Sequence, residues 1–461
     1  MADEKIEKRG SMSADDYADV PVPKDERVTW PQLTYVWFGA AMFVGLYYAG
    51  VELGTTMGKL SNAIIAITVG CLFLGTFVAL NGIIGYRTGC NAALAGTYAY
   101  GSKGVFVPGF HIADIGWYIM MTAQFAAILH TLFPVIDARV FTIIFSMLFV
   151  TNGFIGFKQM ARLNKVAMPI LLFTGLYGVL RIHLITGGGL AEIFAREFPY
   201  TTPMATAITV VVGTWVSGSS RAADYFRWAK SPKDSIIASY VGFFFGLFIC
   251  LMVGAMWGAG TGSTNIGTTL TMLGGGMMLF GVIMFFLQTW TTNEHSAYVT
   301  STALPVAVKA LTGEEKLKRR NVIVGVALLS VAVAGVGVEK YYIPFISFLG
   351  SIIPVIGASI IADYFIMSRT KYHWSGHKDF YSIPVNDEDV QHHKFNWAIV
   401  PSLILGTWIG LKATFFISSF NSLIGTIIIY CISTVIFSYL GLQKQEIAKN
   451  ENLARERGVK A

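Results

Sequence analysis

Charge is scarce in this chain of 461 residues: Asp, Glu, Lys and Arg together make up 13%, against roughly a quarter in soluble domains. That shortage excludes an ordinary water-soluble fold. Hydrophobic residues supply 54%, and the mean hydropathy is +0.57. Cysteine is equally sparse. Cys71, Cys90, Cys250 and Cys431 stand singly in or beside apolar runs, with no CxxC pair, which argues against a disulfide framework or a thiolate metal site. The polar first 29 residues contain no short apolar stretch, so no cleaved signal peptide is expected. Catalytic signatures are missing as well. The glycine-rich GAGTGSTNIGTT at 258–269 follows an apolar run rather than a strand, which is the wrong setting for a dinucleotide loop. No nucleophile triad or phosphate loop stands out, and an enzyme is not expected. His373 and His377 have the i, i+4 spacing of a metal pair, with His392 and His393 nearby. All four fall in the charged stretch 368–396 and read as solvated loop histidines. The net charge of +7 does not imply a nucleic-acid partner, because the basic residues gather between apolar runs, where retention on one side of a membrane explains them.

What the chain has in plenty is apolar runs of about 20 residues, the length that crosses a hydrocarbon core of roughly 30 Å. Twelve are read, near 31–55, 61–85, 105–131, 138–156, 160–186, 203–223, 235–258, 270–300, 321–338, 341–367, 397–415 and 420–440. Lys and Arg favour alternate connections, among them Arg87, Lys103, Arg221, Lys230, Lys316 and Arg369. By the positive-inside rule both termini then lie in the cytoplasm, with the chain in the plasma (inner) membrane. The expected organisation is a tail at 1–29, five spans over 30–186, five over 187–367, a cytoplasmic loop at 368–396, two further spans over 397–440 and a tail at 441–461.

Two spans look interrupted, and they are five spans apart. Span 1 reads GAAMFVGLYYAGVELG (39–54) and span 6 reads VVVGTWVSGSSRAADYFRW (210–228), each with glycine and small polar residues at mid-depth. One glycine in a helix costs only about 1 kcal/mol relative to alanine. A matched pair of interruptions predicts an inverted-repeat secondary transporter whose unwound backbone supplies ligands; glycines that let helices pack closely are the alternative.

The stretch HIADIGWYIMM at 111–121 places a carboxylate, Asp114, inside an apolar segment, at a cost of roughly 2.5 to 3.5 kcal/mol at the centre of a span. Intramembrane acids of this kind face a cavity or a partner. Trp117 lies one helical turn on, on the same face. Trp215 in span 6, beside Thr214, supplies a second indole. A flat ring stacked between the two, with Asp114 accepting hydrogen bonds from its edge, describes a site for a small planar heterocycle; packing or interfacial anchoring is the alternative for both tryptophans. In span 8, FFLQTWTTNEHSAY (285–298), the hydroxyls of Thr291 and Thr292 follow Gln288 by one turn and offer oxygens to Na⁺. Threonine hydroxyls also bond back to their own helix. Glu294 is a second buried acid, suited to proton coupling or to helix–helix bonding.

The words WTTNEHSAY, SIIPVIGASIIADYFIMSR (351–369) and GTWVSGSSRAADYFRW resemble the nucleobase:cation symporter-1 family of cytosine/purine, hydantoin and allantoin permeases, along essentially all twelve spans. The resemblance implies an all-α integral membrane fold of twelve transmembrane helices, with a 5+5 inverted-repeat (LeuT-like) core plus two C-terminal helices. It implies a solute site including Trp117, Asp114, Trp215, Thr214, Ser217, Gln288 and Tyr47, and a sodium site built from the carbonyls of Phe43, Leu46 and Gln288 with the hydroxyls of Thr291 and Thr292. No cofactor is expected beyond Na⁺ as coupling ion, with H⁺ the alternative through Glu294. Similar cytosine permeases have glutamine where this chain has Asp114, and asparagine where it has Gln288. Those departures favour a solute rich in donors or partly cationic. The resulting expectation is a symporter that imports a small planar nitrogen heterocycle with Na⁺ by alternating access. Proton coupling is the runner-up. An amino-acid or amine transporter of the same fold fits less well, because span 1 lacks a Gly-x-Gly cradle and Asp114 would repel a carboxylate. A channel would need a charge ring or filter sequence, and none is seen. The expected partners are the solute and the lipid bilayer, with no nucleic acid.

Overall fold

A computed structural model describes residues 17 and 20–442, apart from 105, 110–111, 152–156, 187–188, 315, 376–379, 384 and 386–393. Every regular element among them is helical. A backbone in lipid must satisfy its own hydrogen bonds, and helices do so within one segment. Six helices are long and apolar enough to cross a membrane, among them Leu60–Thr88, Pro232–Thr261 and Ser418–Tyr439, and four shorter apolar helices accompany them. The protein is therefore a multi-pass membrane protein. Several expected spans match helices to within a few residues: 61–85 is Leu60–Thr88, 397–415 is Ile399–Lys412 and 420–440 is Ser418–Tyr439. All four cysteines are unpaired thiols, three of them buried.

The first span is broken as its sequence suggests. Trp30–Ala41 and Val44–Thr56 meet at an angle of 63°, and Phe43 between them is extended, with φ −150° and ψ 160°. No proline causes the break. Carbonyls near it are taken up by side chains of distant helices: the Trp215 indole Nε1 donates to the Ala41 carbonyl at 3.0 Å, and the Tyr342 hydroxyl donates to that of Gly45 at 2.6 Å. Irregular backbone at membrane depth is tolerated only where protein groups cover it in this way.

The sixth span differs from its reading. The helix Met204–Ser220 runs unbroken through the glycine and serines of SGSS and ends at Arg221. Ser219 and Ser220 donate to the carbonyls of Trp215 and Val216, each at 2.9 Å, so these polar residues satisfy themselves inside the helix. Gly213 of this helix serves close packing against a neighbour. A Cβ on Gly213 would strike the Ile346 carbonyl, and one on Gly350 the Thr209 carbonyl. The same device joins Val44–Thr56 to Phe245–Thr261, where Gly50 and Gly54 face the carbonyls of Leu251 and Ala255, while Gly254 and Gly258 face those of Tyr47 and Val51. Reciprocal small-xxx-small patterns let two backbones approach where lipid offers no hydrophobic drive.

His373 is also not the solvated loop histidine that its sequence suggests. It is 1% exposed, and its Nε2 lies 3.2 Å from Asp363 Oδ1. Tyr381 and Tyr430 each donate to the same carboxylate at 2.6 Å. His377, His392 and His393 lie outside the described residues.

Candidate functional site

A cavity of about 310 Å³ opens beside the break in the first span and is walled by the helices Ile112–Leu132, Met204–Ser220 and Gly275–Thr312. Asp114, Trp117, Thr214, Trp215, Ser217 and Gln288 all line it, as do Phe43, Thr291 and Thr292. Residues far apart in sequence, singled out for a solute and for a cation, thus share one chamber. Tyr47, Leu46 and Glu294 are not on its wall. The Tyr47 hydroxyl donates to the Leu171 carbonyl at 3.1 Å and its ring meets Trp257 edge-on. Leu46 is fully buried, and its N–H donates to the Phe43 carbonyl at 3.1 Å. Glu294 is fully buried with no hydrogen bond to either carboxylate oxygen.

Asp114 sits in the first turn of its helix, where a carboxylate suits the positive end of the dipole. It is 4% exposed. Arg221 Nη2 lies 3.3 Å from each of its carboxylate oxygens. Arg221 caps the C-terminal end of Met204–Ser220, where a cation is favoured. The sequence grouped Arg221 with the charges between spans; the structure turns its side chain into the cavity. This revises the expected solute. A carboxylate alone would select donors or a partial positive charge, whereas a carboxylate beside a guanidinium forms a neutral pair that both accepts and donates.

The two tryptophans line the same cavity, yet they do not form an open slot. The Phe43 ring lies edge-on to Trp117 with centroids 5.5 Å apart and to Trp215 at 5.9 Å. Trp117 is held further by Phe345 at 5.4 Å and Tyr342 at 6.2 Å, and Trp215 by Phe243 at 5.6 Å.

Both threonine hydroxyls on the cation side, Thr291 and Thr292, donate to the Gln288 carbonyl at 2.9 Å. This is the back-bonding that threonines in helices adopt. Each hydroxyl oxygen keeps lone pairs for a cation, and Phe43, at the break, lies on the same wall. The oxygen donors suit a hard cation such as Na⁺. No group of three or more His, Cys, Asp or Glu among the described residues suits a transition metal.

Sequence reasoning passed over Arg221, Tyr225, His295 and Ser296, all on the wall. Helical spacing held the signal for three of them. Arg221 is one turn past Ser217, and His295 and Ser296 follow Thr291 and Thr292 by four residues, so each faces the way its predecessor does.

A family model for permeases for cytosine/purines, uracil, thiamine and allantoin matches residues 21–436. The cytosine permease of Escherichia coli (strain K12) is 27% identical over 372 residues, covering 78% of this chain and 84% of that one. The hydantoin permease of Microbacterium maritypicum is 24% identical over 387 residues, covering 77% and 76%. Among solved structures, the inward-facing conformation of Mhp1 superposes with a TM-score of 0.75 at 18% identity, covering 94% of this chain and 96% of that one.

Proposed function

This chain belongs to the family of permeases for cytosine/purines, uracil, thiamine and allantoin, and from that premise we propose that it imports a small planar nitrogen heterocycle together with Na⁺ by alternating access. The observation that carries the reading is the shared cavity, in which two indoles and a buried Asp114–Arg221 pair sit beside an oxygen-rich helix break. Aromatic faces bind a flat ring through apolar contact and stacking. The charged pair reads its edge, accepting from ring N–H and donating to a ring carbonyl or imine nitrogen. Na⁺ is held by the carbonyls of Phe43, Leu46 and Gln288 and the hydroxyls of Thr291 and Thr292, so that solute and ion each favour the other's binding. The surrounding architecture in this reading is twelve spans, with an inverted 5+5 repeat over 30–186 and 187–367, two added helices over 397–440, and both termini in the cytoplasm at the inner membrane. Similarity to Mhp1 over nearly the whole chain supports that arrangement.

The test is uptake into proteoliposomes of radiolabelled cytosine, uracil, hydantoin and hypoxanthine, each with an inward Na⁺ gradient or with K⁺ in its place. Sodium-driven uptake of at least one, abolished by Trp117→Ala in protein that still elutes as a single species, is the expected result. Uptake driven by a proton gradient and indifferent to Na⁺ would transfer the coupling to H⁺. One observation favours that second reading: Glu294 is buried with no hydrogen-bond partner, a placement suited to carrying a proton rather than a fixed charge.

A further inference from the structure

A second cavity, of about 290 Å³, lies apart from the one beside the helix break. Three spans end around it. Tyr86 and Arg87 come from the last turn of Leu60–Thr88, Pro232 opens Pro232–Thr261, and Arg369 closes Val338–Arg369. Spans end where the hydrocarbon core does, so this cavity stands at headgroup level on one side of the bilayer. Tyr86 and Tyr364 are both on its wall, and tyrosine collects at that depth.

Two guanidinium groups, both on exposed residues, share the cavity. Arg87 is oriented by a hydrogen bond from its Nη2 to Ser382 Oγ at 3.0 Å. Among the described residues no acidic side chain lines the cavity. Asp363 is fully buried and bonded to Tyr381, Tyr430 and His373, so its carboxylate is not offered there. Arginines at span ends also hold topology, but topology requires only their number on one side, not their convergence on one hollow. Two like charges on a shared wall repel, and an anion between them replaces that repulsion with attraction from both sides. The surface leading from the cavity into the bilayer is apolar. Ile236, one turn past Pro232, and Ile366, three residues before Arg369, are 39% and 43% exposed. On Leu60–Thr88, Ile83 lines the cavity, and Leu72, about three turns earlier on the same face, is exposed as well.

We propose that this cavity binds the phosphate headgroup of an anionic phospholipid, held by Arg87 and Arg369, with the acyl chains lying along the exposed aliphatic side chains of the spans around it. The planar fork of a guanidinium matches phosphate oxygens, and basic pockets between transmembrane helices lodge such headgroups. With two positive charges and no described carboxylate on its wall, the site has a place for the phosphate and none for the ammonium of a zwitterionic lipid. It does not depend on what the cavity beside the helix break carries.

The test is the thermal stability of detergent-purified, delipidated protein titrated with short-chain phosphatidylglycerol, phosphatidylcholine of the same chain length, or inorganic phosphate. A specific ligand raises the melting temperature. Phosphatidylglycerol is expected to do so at concentrations where the other two have little effect. Arg87→Gln and Arg369→Gln should each raise its half-saturating concentration about fivefold, and the double variant at least about tenfold. Arg87→Lys and Arg369→Lys, which keep the charge if the neutral variants do not fold, should retain part of the affinity. Lys371→Gln removes a positive charge that is near in sequence but not on the wall, and should titrate like wild type. No stabilisation by phosphatidylglycerol, or equal stabilisation by both lipids, overturns the proposal, since the headgroup would not be read. Equal stabilisation by inorganic phosphate overturns it too, by making the site one for a free anion. A phosphatidylglycerol effect that survives the double substitution, or that falls equally in Lys371→Gln, would place the lipid on diffuse surface charge and not in the cavity.

Discussion

Asp114 and Arg221 show how much one residue's meaning depends on what stands across from it. Breaking a buried ion pair by removing one partner is far costlier than never having built it, because the remaining charge keeps its desolvation penalty. The pair here is nearly buried, with side chains 6% and 13% exposed. Arg221→Gln should therefore lower stability by on the order of 3 kcal/mol, read as a fall in the melting temperature of the detergent-purified protein. Adding Asp114→Asn should recover part of the loss. Two losses that simply add would mean that the groups do not interact. Thr292→Ala tests the proposed sodium site. Its hydroxyl donates to a carbonyl of its own helix, so deletion should leave the fold nearly intact while raising the Na⁺ concentration needed for half-maximal solute binding several-fold. A sodium titration indistinguishable from wild type would take Thr292 out of the coupling site.

At the scale of elements, glycine had two readings in the sequence, and the structure divides them. The first span does break, but at Met42–Phe43, ahead of Gly50 and Gly54, which pack against a neighbouring backbone. The sixth span keeps its helix through the glycine and serines that looked like a break. Composition alone could not separate these cases, since a packing glycine and an unwinding glycine look alike until the opposing helix is in place. The apolar runs were legible because a span's length is dictated by the bilayer. The packing makes a sharp prediction. Gly254→Val should cost about 1 to 3 kcal/mol through overpacking, because its Cβ would lie 2.6 Å from the Tyr47 carbonyl. Gly325→Ala, where nothing lies within 4 Å, should be neutral or stabilising by up to about 1 kcal/mol. Thermal melts of both variants side by side check the contrast, and equal effects would contradict the close approach of the two backbones.

Taken as a whole, the molecule is fastened at a place its sequence hid. Most of the candidate cavity was readable: Asp114, Trp117 and Trp215 announced themselves as polar or aromatic exceptions in apolar spans, and all three line one cavity. The cluster around Asp363 was not: Asp363 is an acid in an apolar span, but its partners are scattered over some seventy residues and none of them is unusual alone. His373 looked like one histidine in a charged loop until burial and the 3.2 Å contact to Asp363 joined it to the core. Asp363 lies at the end of Pro354–Phe365 and gathers Tyr430 of Ser418–Tyr439, together with His373 and Tyr381 of the connecting segment. Asn396 then links Tyr430 to the Ala99 carbonyl, at 3.0 and 2.8 Å. None of these residues lines the cavity that holds Asp114, Trp117 and Trp215. One carboxylate thus ties the last helix and the preceding segment by hydrogen bonds to Pro354–Phe365. Its removal should act on the fold and not on recognition. Asp363→Ala leaves two buried hydroxyls and an imidazole without their shared acceptor, and should cost about 3 to 5 kcal/mol; Tyr430→Phe, which deletes one donor, should cost about 1 kcal/mol. Melting temperatures should fall in that order while solute affinity at low temperature stays at the wild-type value. A variant that melts like wild type but binds solute several-fold more weakly would show instead that this distant cluster is coupled to the cavity.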